Sequence, residues 1–330
     1  MTDKAVVIGD GGWGTALALL LTGNGASTTI WSAFPEHVEE FTEKRENTFF
    51  LPGVPLPEEI RITHDRLEAV DGASLAILAV PSKYFASVAA SFKDILPDQC
   101  RVLTVAKGLA PETFQRMSQV AERALDKKPV AALSGPSHAE EVARKVPTAV
   151  VAASPDTEYC RWIQKLLTNE RFRVYTSPDI VGVELGGALK NVIALAVGIG
   201  DGLGFGDNTR GALITRGLAE ISRLGCALGG KPETFAGLSG MGDLIATCTG
   251  RYSRNRHVGE RLGKGEKLAD IQAAMKQVAE GVDNCDAAHS LAGREGLEMP
   301  ITDQVHALLR RGADPLDAVR LLMHREPKPE

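Results

Sequence analysis

The sequence predicts two domains: a doubly wound α/β domain followed by an all-α domain. Three observations support this fold class. Continuous apolar runs alternate with helical patterns in the first half, as in a parallel sheet covered on both faces. A glycine-rich segment follows the first apolar run, and no convincing strand occurs after Ile180. A length of 330 residues exceeds one typical domain. Because the pattern changes after Pro178, we place the boundary between residues 183 and 184, giving domains 1–183 and 184–330.

The individual elements follow from hydrophobic periodicity. Strands are predicted at 5–8, 28–31, 75–80, 102–106, 130–133, 149–152 and 172–175. Helices of the first domain are predicted at 14–21, 85–92, 112–125 and 157–167. Helices of the second domain are predicted at 183–198, 210–224, 268–278, 285–293 and 301–309.

Composition narrows the class of protein. The formal net charge is −5, which argues against a nucleic-acid binder, because such proteins are normally basic. The five cysteines form no C-x-x-C pair, which is typical of reduced thiols in a cytoplasmic protein. We recognise no signal peptide, and the apolar run at 192–199 is too short to span a bilayer. We therefore expect a cytoplasmic protein without a membrane span.

The first predicted strand runs into Ile8-Gly-Asp-Gly-Gly-Trp-Gly-Thr-Ala16. Gly9, Gly11 and Gly14 have the spacing of a dinucleotide-binding, Rossmann-like loop. The first glycine permits a tight turn, the second lets the backbone approach a pyrophosphate, and the third lets helix and strand pack closely. The start of the following helix offers unpaired N–H groups to the phosphates. We therefore predict a site for NAD or NADP.

The sequence does not decide whether the cofactor carries a 2′-phosphate, which distinguishes NADP from NAD. The acid expected about 20 residues after the loop, which binds the ribose hydroxyls of NAD, is absent after the second strand. The arginine that would hold a 2′-phosphate is absent there too, since the segment reads Ile30-Trp-Ser-Ala-Phe-Pro35. His37 or Arg45 is a candidate to reach a 2′-phosphate from farther along the chain, and the preference between NAD and NADP stays open.

One lysine stands out on the first helix of the second domain. Helical spacing puts Gly186, Gly187, Ile193 and Ala194 beside Lys190. Two glycines in a helix are costly, and a ligand against this face would explain them. Burial would lower the pKa of the lysine and let it exchange a proton near neutral pH. The alternative is a lysine whose stem packs while its ammonium reaches water.

Two further segments carry candidate groups. Asp243 lies in a glycine-rich turn, where its carboxylate is expected either beside Lys190 or as the N-cap of a short helix. The segment Gly250-Arg-Tyr-Ser-Arg-Asn-Arg-His257 concentrates three arginines around a serine and an asparagine. One guanidinium group can donate to two phosphate oxygens at once. This segment is therefore either a phosphate site or an ordinary solvated basic helix.

Taken together, these motifs closely resemble the bacterial-type NAD(P)-dependent glycerol-3-phosphate dehydrogenase family. The resemblance extends from Ile8 to about Thr302. The motifs that carry it are Gly9-Asp-Gly-Gly-Trp-Gly-Thr15, Phe50-Leu-Pro-Gly53, Ala79-Val-Pro-Ser82, Ala106-Lys-Gly-Leu109, Ser134-Gly-Pro-Ser137, Gly186-Gly-Ala-Leu-Lys-Asn191, Asp201-Gly-Leu-Gly204, Leu213-Ile-Thr-Arg-Gly217, Gly242-Asp-Leu244, Ser253-Arg-Asn255 and Glu280-Gly281. One departure is Ala33-Phe34, where family members that use NADP carry His or Arg.

The resemblance implies a role for each matching residue. Lys190 matches the proton donor and acceptor, and Lys107 matches a lysine between substrate and nicotinamide. Asp243 matches a residue that orients the two lysines. The implied substrate contacts are Lys107, Gly135, Ser137, Lys190, Asn191, Asp243, Thr247, Ser253, Arg254 and Asn255, the last three around the phosphate. The implied cofactor contacts are Gly9, Gly11, Gly12, Trp13, Gly14, Phe50, Lys107, Ala139, Arg254, Val278 and Glu280.

The implied reaction is the reversible, NAD(P)H-dependent reduction of dihydroxyacetone phosphate to sn-glycerol 3-phosphate, which would supply phospholipid synthesis. A homodimer is compatible with the resemblance. Two alternatives stay open from the residues. One is a 3-hydroxy-acid or 6-phosphogluconate-type dehydrogenase, which shares the domain plan and a catalytic lysine. The other is a nicotinamide-sensing module without turnover, against which a lysine on a small-residue helix argues.

Overall fold

A computed structural model of the chain describes residues 3–126, 130–275 and 277–326. Its first half is built on one eight-stranded sheet. The strands are Lys4–Ile8 (β1), Ser27–Trp31 (β2), Arg61–Thr63 (β3), Leu75–Leu78 (β4), Arg101–Thr104 (β5), Val130–Ser134 (β6), Thr148–Ala153 (β7) and Phe172–Ser177 (β8). Their spatial order is β3-β2-β1-β4-β5-β6-β7-β8. Neighbours are parallel except β6 and β7.

Sixteen helices and one π-helical turn are found in the described part of the chain. Those of the first half are Gly12–Gly23 (α1), Pro35–Lys44 (α2), Arg66–Val70 (α3), Ser82–Ala90 (α4), Met117–Ala124 (α5), Ala139–Ala143 (α6) and Thr157–Leu167 (α7). Those of the second half are Ile180–Gly202 (α8), Asp207–Ala227 (α9), Pro232–Phe235 (α10), Asp243–Thr249 (α11), Arg254–Gly263 (α12), Leu268–Ala273 (α13), Gly281–Arg294 (α14), Pro300–Arg311 (α15) and Pro315–Met323 (α16). The π-helical turn is Leu238–Gly242.

The sheet is covered on both faces, as predicted. Alternate residues of β1 enter different cores, because successive side chains of a strand point to opposite faces. Val7 packs with Leu17 of α1 and Ile163 of α7, whereas Ile8 packs with Phe85 of α4. Residues after β8 form no strand in the described ranges, so the predicted fold class is confirmed.

Several predicted elements differ from the structure. The edge strand β3 was not predicted, since a strand of three residues is too short to give a periodic signal. The helix predicted at 112–125 begins only at Met117, because Glu112 and Phe114 have φ of 65° and 55°, outside the helical region. The helix predicted at 268–278 ends at Ala273, and the chain then turns back toward the first domain.

Helix α8 is the centre of the second half. Twenty-three residues long, it is apolar around most of its circumference and contributes to the largest core cluster. By length and composition alone it is capable of crossing a membrane, but 94% of its most apolar window is buried inside the protein. Such a helix is typical of the core of a large helical domain. The predicted boundary at 183/184 falls within the first turn of α8, and the division stays a prediction.

Helices α8 and α12 touch backbone to backbone. A Cβ on Gly198 or Gly259 would overlap a main-chain oxygen of the other helix, that of Arg256 or Leu195. Gly202 and Gly263 repeat the arrangement one turn further along, each close to the other's Cα. Glycine at these four positions is what lets the two helices approach this closely, because any side chain would push them apart. The start of α12 is therefore held firmly against α8.

Candidate active site

The glycine loop between β1 and α1 has the predicted geometry. Gly9 has φ of 118°, and a Cβ there would lie 2.7 Å from the carbonyl oxygen of Ala79, so only glycine fits. A Cβ on Gly14 would overlap the carbonyl oxygen of Gly9, which shows the close packing of helix on strand. Around Gly11, in contrast, no atom lies within 4 Å of the Cβ position. The loop is tight on the protein side and open on the outer side.

This loop fits a dinucleotide. Helix α1 begins after Gly11 with no side-chain cap, so its first N–H groups are available to phosphate oxygens. The indole Nε1 of Trp13 is buried without a hydrogen-bond partner among the described residues. Open space, free amides and an unpaired donor are the features expected where a pyrophosphate group binds.

The other predicted cofactor residues lie at the same mouth. A Cβ on Gly12 would be 2.7 Å from the carbonyl oxygen of Phe50 and 3.6 Å from the Cβ of Ala139. The buried side chain of Asn47 donates to the Asp10 carbonyl and accepts from the Phe50 amide, at 2.7 and 2.9 Å, so it ties the Phe50 loop to the glycine loop. Sequence analysis missed Asn47, which sits in no recognisable motif.

The segment after α13 closes the same region from the second half of the chain. The side-chain amide of Gln277 donates to the carbonyl of Phe50 at 3.3 Å. The carboxylate of Glu280 accepts from the Ser82 amide at 3.0 Å. The carbonyl of Val278 accepts from the guanidinium of Arg254 at 2.8 Å. The structure therefore brings Val278, Glu280 and Arg254 together with the glycine-loop side of the cleft.

Lys190 lies at the middle of α8, and its ammonium is buried. The residue is 4% exposed, so the alternative of an ammonium reaching water is wrong. Its Nζ donates to Oδ1 of Asp243 and, at 2.6 Å, to the hydroxyl of Thr247. That hydroxyl donates in turn to the Asp243 carbonyl at 2.7 Å. The ammonium of Lys190 is thus bonded to two side chains that lie one turn apart on α11.

The carboxylate of Asp243 is shared between two lysines. Its Oδ2 accepts from Lys107 at 2.9 Å. Lys107 also donates to the carbonyl of Gly135 at 2.7 Å and to the hydroxyl of Ser137 at 3.1 Å. Lys107 follows β5 and the other two follow β6, so the ends of neighbouring strands bring them together. Asp243 is the first residue of α11 and does not cap it, so the N-cap alternative is wrong.

Burial and charge set the pKa values of this cluster. Burial lowers the pKa of Lys190 to about 8, although the neighbouring Asp243 carboxylate partly restores it. Burial alone would raise the pKa of Asp243, but the ammonium groups of Lys107 and Lys190 hold it below its usual value. The cluster therefore contains two cationic groups and one anion, a net charge of +1 with both lysines protonated.

The two glycines before Lys190 have a different purpose from the one predicted. A Cβ on Gly187 would lie 2.5 Å from Oγ of Ser134, and one on Gly186 would lie 2.6 Å from the carbonyl oxygen of Ser239. The expectation that a ligand occupies this space is wrong. The glycines let α8 pack directly on the end of β6 and on the π-helical turn, which brings Lys190 and Asp243 together.

Three buried asparagines position Lys107 and the start of α12. Asn191 donates to the Lys107 carbonyl at 3.0 Å and accepts from the amide of Asn255 at 2.9 Å. Asn255 accepts from the Gly281 amide at 2.9 Å. Asn284, which sequence analysis missed, donates to the Lys107 carbonyl at 3.2 Å. Asn191 and Asn255 are therefore brought beside Lys190, with much of their hydrogen-bonding capacity used inside the protein.

The three arginines of the segment 250–257 have different surroundings. Arg256 is ion-paired with Asp201, Nε to Oδ2 at 2.7 Å. Arg251 is exposed and lies over the ring of Tyr252. Arg254 is exposed and bonds a carbonyl of the cofactor-side segment. Ser253 is the N-cap of α12, accepting from the Arg256 amide at 3.2 Å. Of the three arginines, Arg254 is the one placed at the mouth of the cleft.

One charged cluster near the glycine loop was missed. Asp10, between the first two glycines, is 7% exposed. Its Oδ2 accepts from the hydroxyl of Ser32 at 2.8 Å and contacts Nδ1 of His37 at 2.6 Å. The sequence does place an acid inside the loop, which was the available signal. Arg45, considered for a 2′-phosphate, instead binds the carbonyls of Leu56 and Ile60.

A glycine-loop crevice on a doubly wound sheet faces a buried lysine–aspartate–lysine cluster on a helical second half. This is the arrangement of a two-domain nicotinamide-dependent dehydrogenase. Comparison with known proteins makes the assignment particular: the family "NAD-dependent glycerol-3-phosphate dehydrogenase N-terminus" matches residues 4–160, and its C-terminal counterpart matches residues 179–320. The chain belongs to the NAD-dependent glycerol-3-phosphate dehydrogenase family.

Individual relatives agree over the full length. The protein from Pelotomaculum thermopropionicum named glycerol-3-phosphate dehydrogenase [NAD(P)+] is 52% identical over 98% of this chain and 94% of its own. That from Moorella thermoacetica, with the same name, is 52% identical over 98% and 97%. The crystal structure of glycerol-3-phosphate dehydrogenase from Coxiella burnetii is 41% identical, with a TM-score of 0.95 over 98% of this chain and 99% of that one. The resemblance inferred from the motifs is confirmed.

Proposed function

We propose that this chain catalyses the reversible, NAD(P)H-dependent reduction of dihydroxyacetone phosphate to sn-glycerol 3-phosphate, with Lys190 as the proton donor and acceptor. The family and the names of its relatives support the reaction. The main support for the role of Lys190 is the number of hydrogen bonds that its ammonium makes. An ammonium group has three N–H donors, and Lys190 uses two of them, on Asp243 and Thr247.

The two lysines of the cluster differ in this respect. The three donors of Lys107 meet three acceptors, on Gly135, Ser137 and Asp243. Lys190 keeps one N–H without an acceptor among the described residues. That N–H is available to the oxygen on the middle carbon of the substrate. Lys190 therefore transfers the proton, whereas Lys107 contributes charge and geometry.

The substrate's phosphate is assigned to the start of α12. Arg254 supplies a guanidinium at the cleft mouth, and Ser253 and Asn255 flank it. Gly135, Ser137, Asn191 and Thr247 are already bonded to the lysine cluster or to each other, so they line the carbonyl end of the substrate. The cluster's net positive charge stabilises the negative charge that develops on the substrate oxygen.

The cofactor is held along the glycine loop. Gly9, Gly11, Gly12, Trp13 and Gly14 form the loop and the start of α1, and Phe50, Ala139, Val278 and Glu280 surround it. When bound, NADH or NADPH supplies the hydride to the middle carbon, and the oxidised cofactor accepts it in reverse. Lys190 then gives its proton to the resulting alkoxide, or takes it back when the alcohol is oxidised.

The reaction is tested by adding dihydroxyacetone phosphate to the protein with NADH or with NADPH and following the loss of absorbance. We expect turnover with the phosphorylated ketone and little with unphosphorylated dihydroxyacetone or with 3-hydroxy and 2-keto acids. Equal rates with the hydroxy-acid substrates would contradict the proposal. Cofactor binding without any turnover would leave only a nicotinamide-binding protein.

The phosphate assignment has a matched pair of variants. Arg254→Ala is expected to raise KM for dihydroxyacetone phosphate about 10- to 100-fold, since a hydrogen bond to a charged group contributes about 1.5–3 kcal/mol. Arg251→Ala removes a neighbouring exposed arginine and should leave KM within about twofold. Steady-state kinetics measure both. An unchanged KM in Arg254→Ala would remove the phosphate site from α12.

Other sequence predictions are kept as parts of the proposal. The product is assigned to phospholipid synthesis, as the resemblance implies. A cytoplasmic location is supported by the five cysteines, which form no disulfide with one another in the described part of the chain. The homodimer rests on the resemblance alone. The division into a dinucleotide-binding domain, residues 1–183, and a substrate domain, residues 184–330, is supported by the start of α8 at Ile180.

A further inference from the structure

The end of β2 lacks the acid that usually binds the adenosine ribose of NAD. In doubly wound dinucleotide-binding domains that acid accepts a hydrogen bond from the ribose 2′-hydroxyl. Here β2 ends at Trp31 and is followed by Ser32, Ala33 and Phe34. A carboxylate is nevertheless present at this edge of the sheet, because Asp10 supplies it from the loop that follows the neighbouring strand, β1.

Strand pairing explains how Asp10 reaches this place. Strands β1 and β2 are parallel, with Ile8 paired to Trp31, so their carboxyl ends lie side by side. Asp10 is two residues beyond the end of β1, and Ser32 is one residue beyond the end of β2. The Ser32 hydroxyl donates to Oδ2 of Asp10 at 2.8 Å. The Asp10 carboxylate therefore lies beside the position from which the usual acid would act.

The carboxylate is held firmly and keeps one oxygen available. Oδ2 is engaged by Ser32 and by Nδ1 of His37, the latter at 2.6 Å. The Asp10 main chain is fixed by Asn47, whose amide donates to its carbonyl at 2.7 Å. The other carboxylate oxygen, Oδ1, has no hydrogen bond within the described ranges. A fixed carboxylate with a free oxygen is a suitable acceptor for a hydroxyl group.

Among the described residues, each basic side chain of α2 and of its C-cap has an acidic partner. His37 is paired with Asp10 itself, so the pair is at most neutral. Lys44 is paired with Glu40 at 2.7 Å. Arg45 is ion-paired with Glu58, Nε to Oε2 at 3.7 Å, and also donates to the carbonyls of Leu56 and Ile60. A 2′-phosphate placed here would meet the Asp10 carboxylate without a free basic group from α2 to compensate it.

We propose that Asp10 is the specificity-determining residue for the cofactor: it accepts a hydrogen bond from the ribose 2′-hydroxyl of NADH and repels the 2′-phosphate of NADPH. The chain therefore prefers NADH. This inference rests on the proposed function for the presence of a nicotinamide dinucleotide, but it concerns binding and not turnover. A hydrogen bond to a charged acceptor contributes about 1.5–3 kcal/mol, which corresponds to a preference of roughly 10- to 150-fold.

The test compares Kd values for NADH and NADPH, measured from the fluorescence of the bound cofactor, in the full-length protein and three variants. The unaltered protein should bind NADH at least about tenfold more tightly. Asp10→Ala should weaken NADH, strengthen NADPH and remove most of that ratio. Asp10→Asn keeps a hydrogen-bonding group but removes the charge, so NADPH should improve while NADH changes little. Glu36→Gln, an exposed acid one residue from His37, should leave both Kd values unchanged.

The outcomes are distinct. Equal Kd values in the unaltered protein, or an unchanged ratio in both Asp10 variants, would overturn the proposal. If Asp10→Ala does not fold, as judged by circular dichroism, Asp10→Asn decides. Failure to reduce dihydroxyacetone phosphate, with the expected Kd ratios intact, would reject the proposed reaction and leave the role of Asp10 standing.

Discussion

Helix α8 buries two charged side chains, Glu184 and Lys190, and their surroundings are opposite in kind. The carboxylate of Glu184 accepts from the Arg116 guanidinium, the Ser118 amide at 2.8 Å and the Ser118 hydroxyl at 2.5 Å. This group joins α5 to α8, and its charge is matched by one arginine. Lys190 instead shares a single carboxylate with Lys107 and keeps an N–H without a partner among the described residues.

The comparison shows that a buried charge does not by itself identify a reacting group. Burial raises the pKa of Glu184 and lowers that of Lys190, so each is shifted toward its neutral form. What distinguishes them is the balance of partners. Around Glu184 one carboxylate is matched by one guanidinium and by two donors from Ser118, whereas around Lys190 one N–H donor and one positive charge are left over. The unpaired N–H is available to donate a hydrogen bond to a substrate oxygen, and the extra positive charge would stabilise negative charge on that oxygen.

The largest effect is expected from Lys190→Met, which replaces the ammonium by an apolar side chain of similar length. Loss of the proposed proton donor should lower kcat roughly 10²- to 10⁴-fold, with NADH binding nearly unchanged. Because Asp243 keeps its pair with Lys107, the free energy of unfolding should not fall. Kinetics and urea unfolding measure the two quantities. Near-normal turnover of Lys190→Met would show that Lys190, like Glu184, has only a structural role.

Glu184→Ala should show the reverse pattern. It leaves Arg116, whose side chain is 16% exposed, without its carboxylate, and breaking a buried ion pair typically costs about 3–5 kcal/mol. The free energy of unfolding should fall by that order, while kcat per folded molecule changes only a few-fold. Denaturant unfolding and activity at low temperature test this. A loss of kcat as large as that of Lys190→Met would mean that Glu184 also acts on the reaction.

A smaller effect, about tenfold per pH unit, is expected from titration of Lys190. Its pKa is lowered to about 8, so the ammonium that we propose as proton donor is present below that pH. The kcat/KM for ketone reduction should therefore fall as pH rises above about 8, and that for alcohol oxidation should rise until about the same pH. Rate profiles in both directions provide the measurement. A reduction limb near 10.5 would place Lys190 in water.

The sequence was informative where neighbouring residues form a local pattern with a known structural meaning. Seven strands and the long helix of the second half follow from runs of apolar residues, and the glycine loop from three spaced glycines. The strand β3 was not predictable, because three residues at a sheet edge leave no period. The early end of α13 depends on contacts of Gln277 and Val278 with distant residues, which no local pattern encodes.

The same limit applies to the site. Lys190 and Asp243 were recognisable, because a charge among small residues and an acid in a glycine-rich turn are locally unusual. Asn47, Asn284 and Asp10 were not singled out, since each has a hydrogen-bond partner between 22 and 177 residues away along the chain. Gly186 and Gly187 were recognised but misinterpreted. Their neighbours are main-chain and serine atoms of other elements, which only the fold reveals.

The direct contact between α8 and α12 has a consequence for substrate length. Gly198 and Gly259 leave no layer of side chains between the helices to compress or expand, so the main chain at Lys190 is held at a constant distance from the main chain at Arg254. If the guanidinium holds the phosphate, a ketone whose carbonyl is one carbon nearer to or farther from that phosphate will not meet the amine. Selection among phosphorylated ketones would then depend on the distance between the carbonyl carbon and the phosphate, which two helices of the same domain would set.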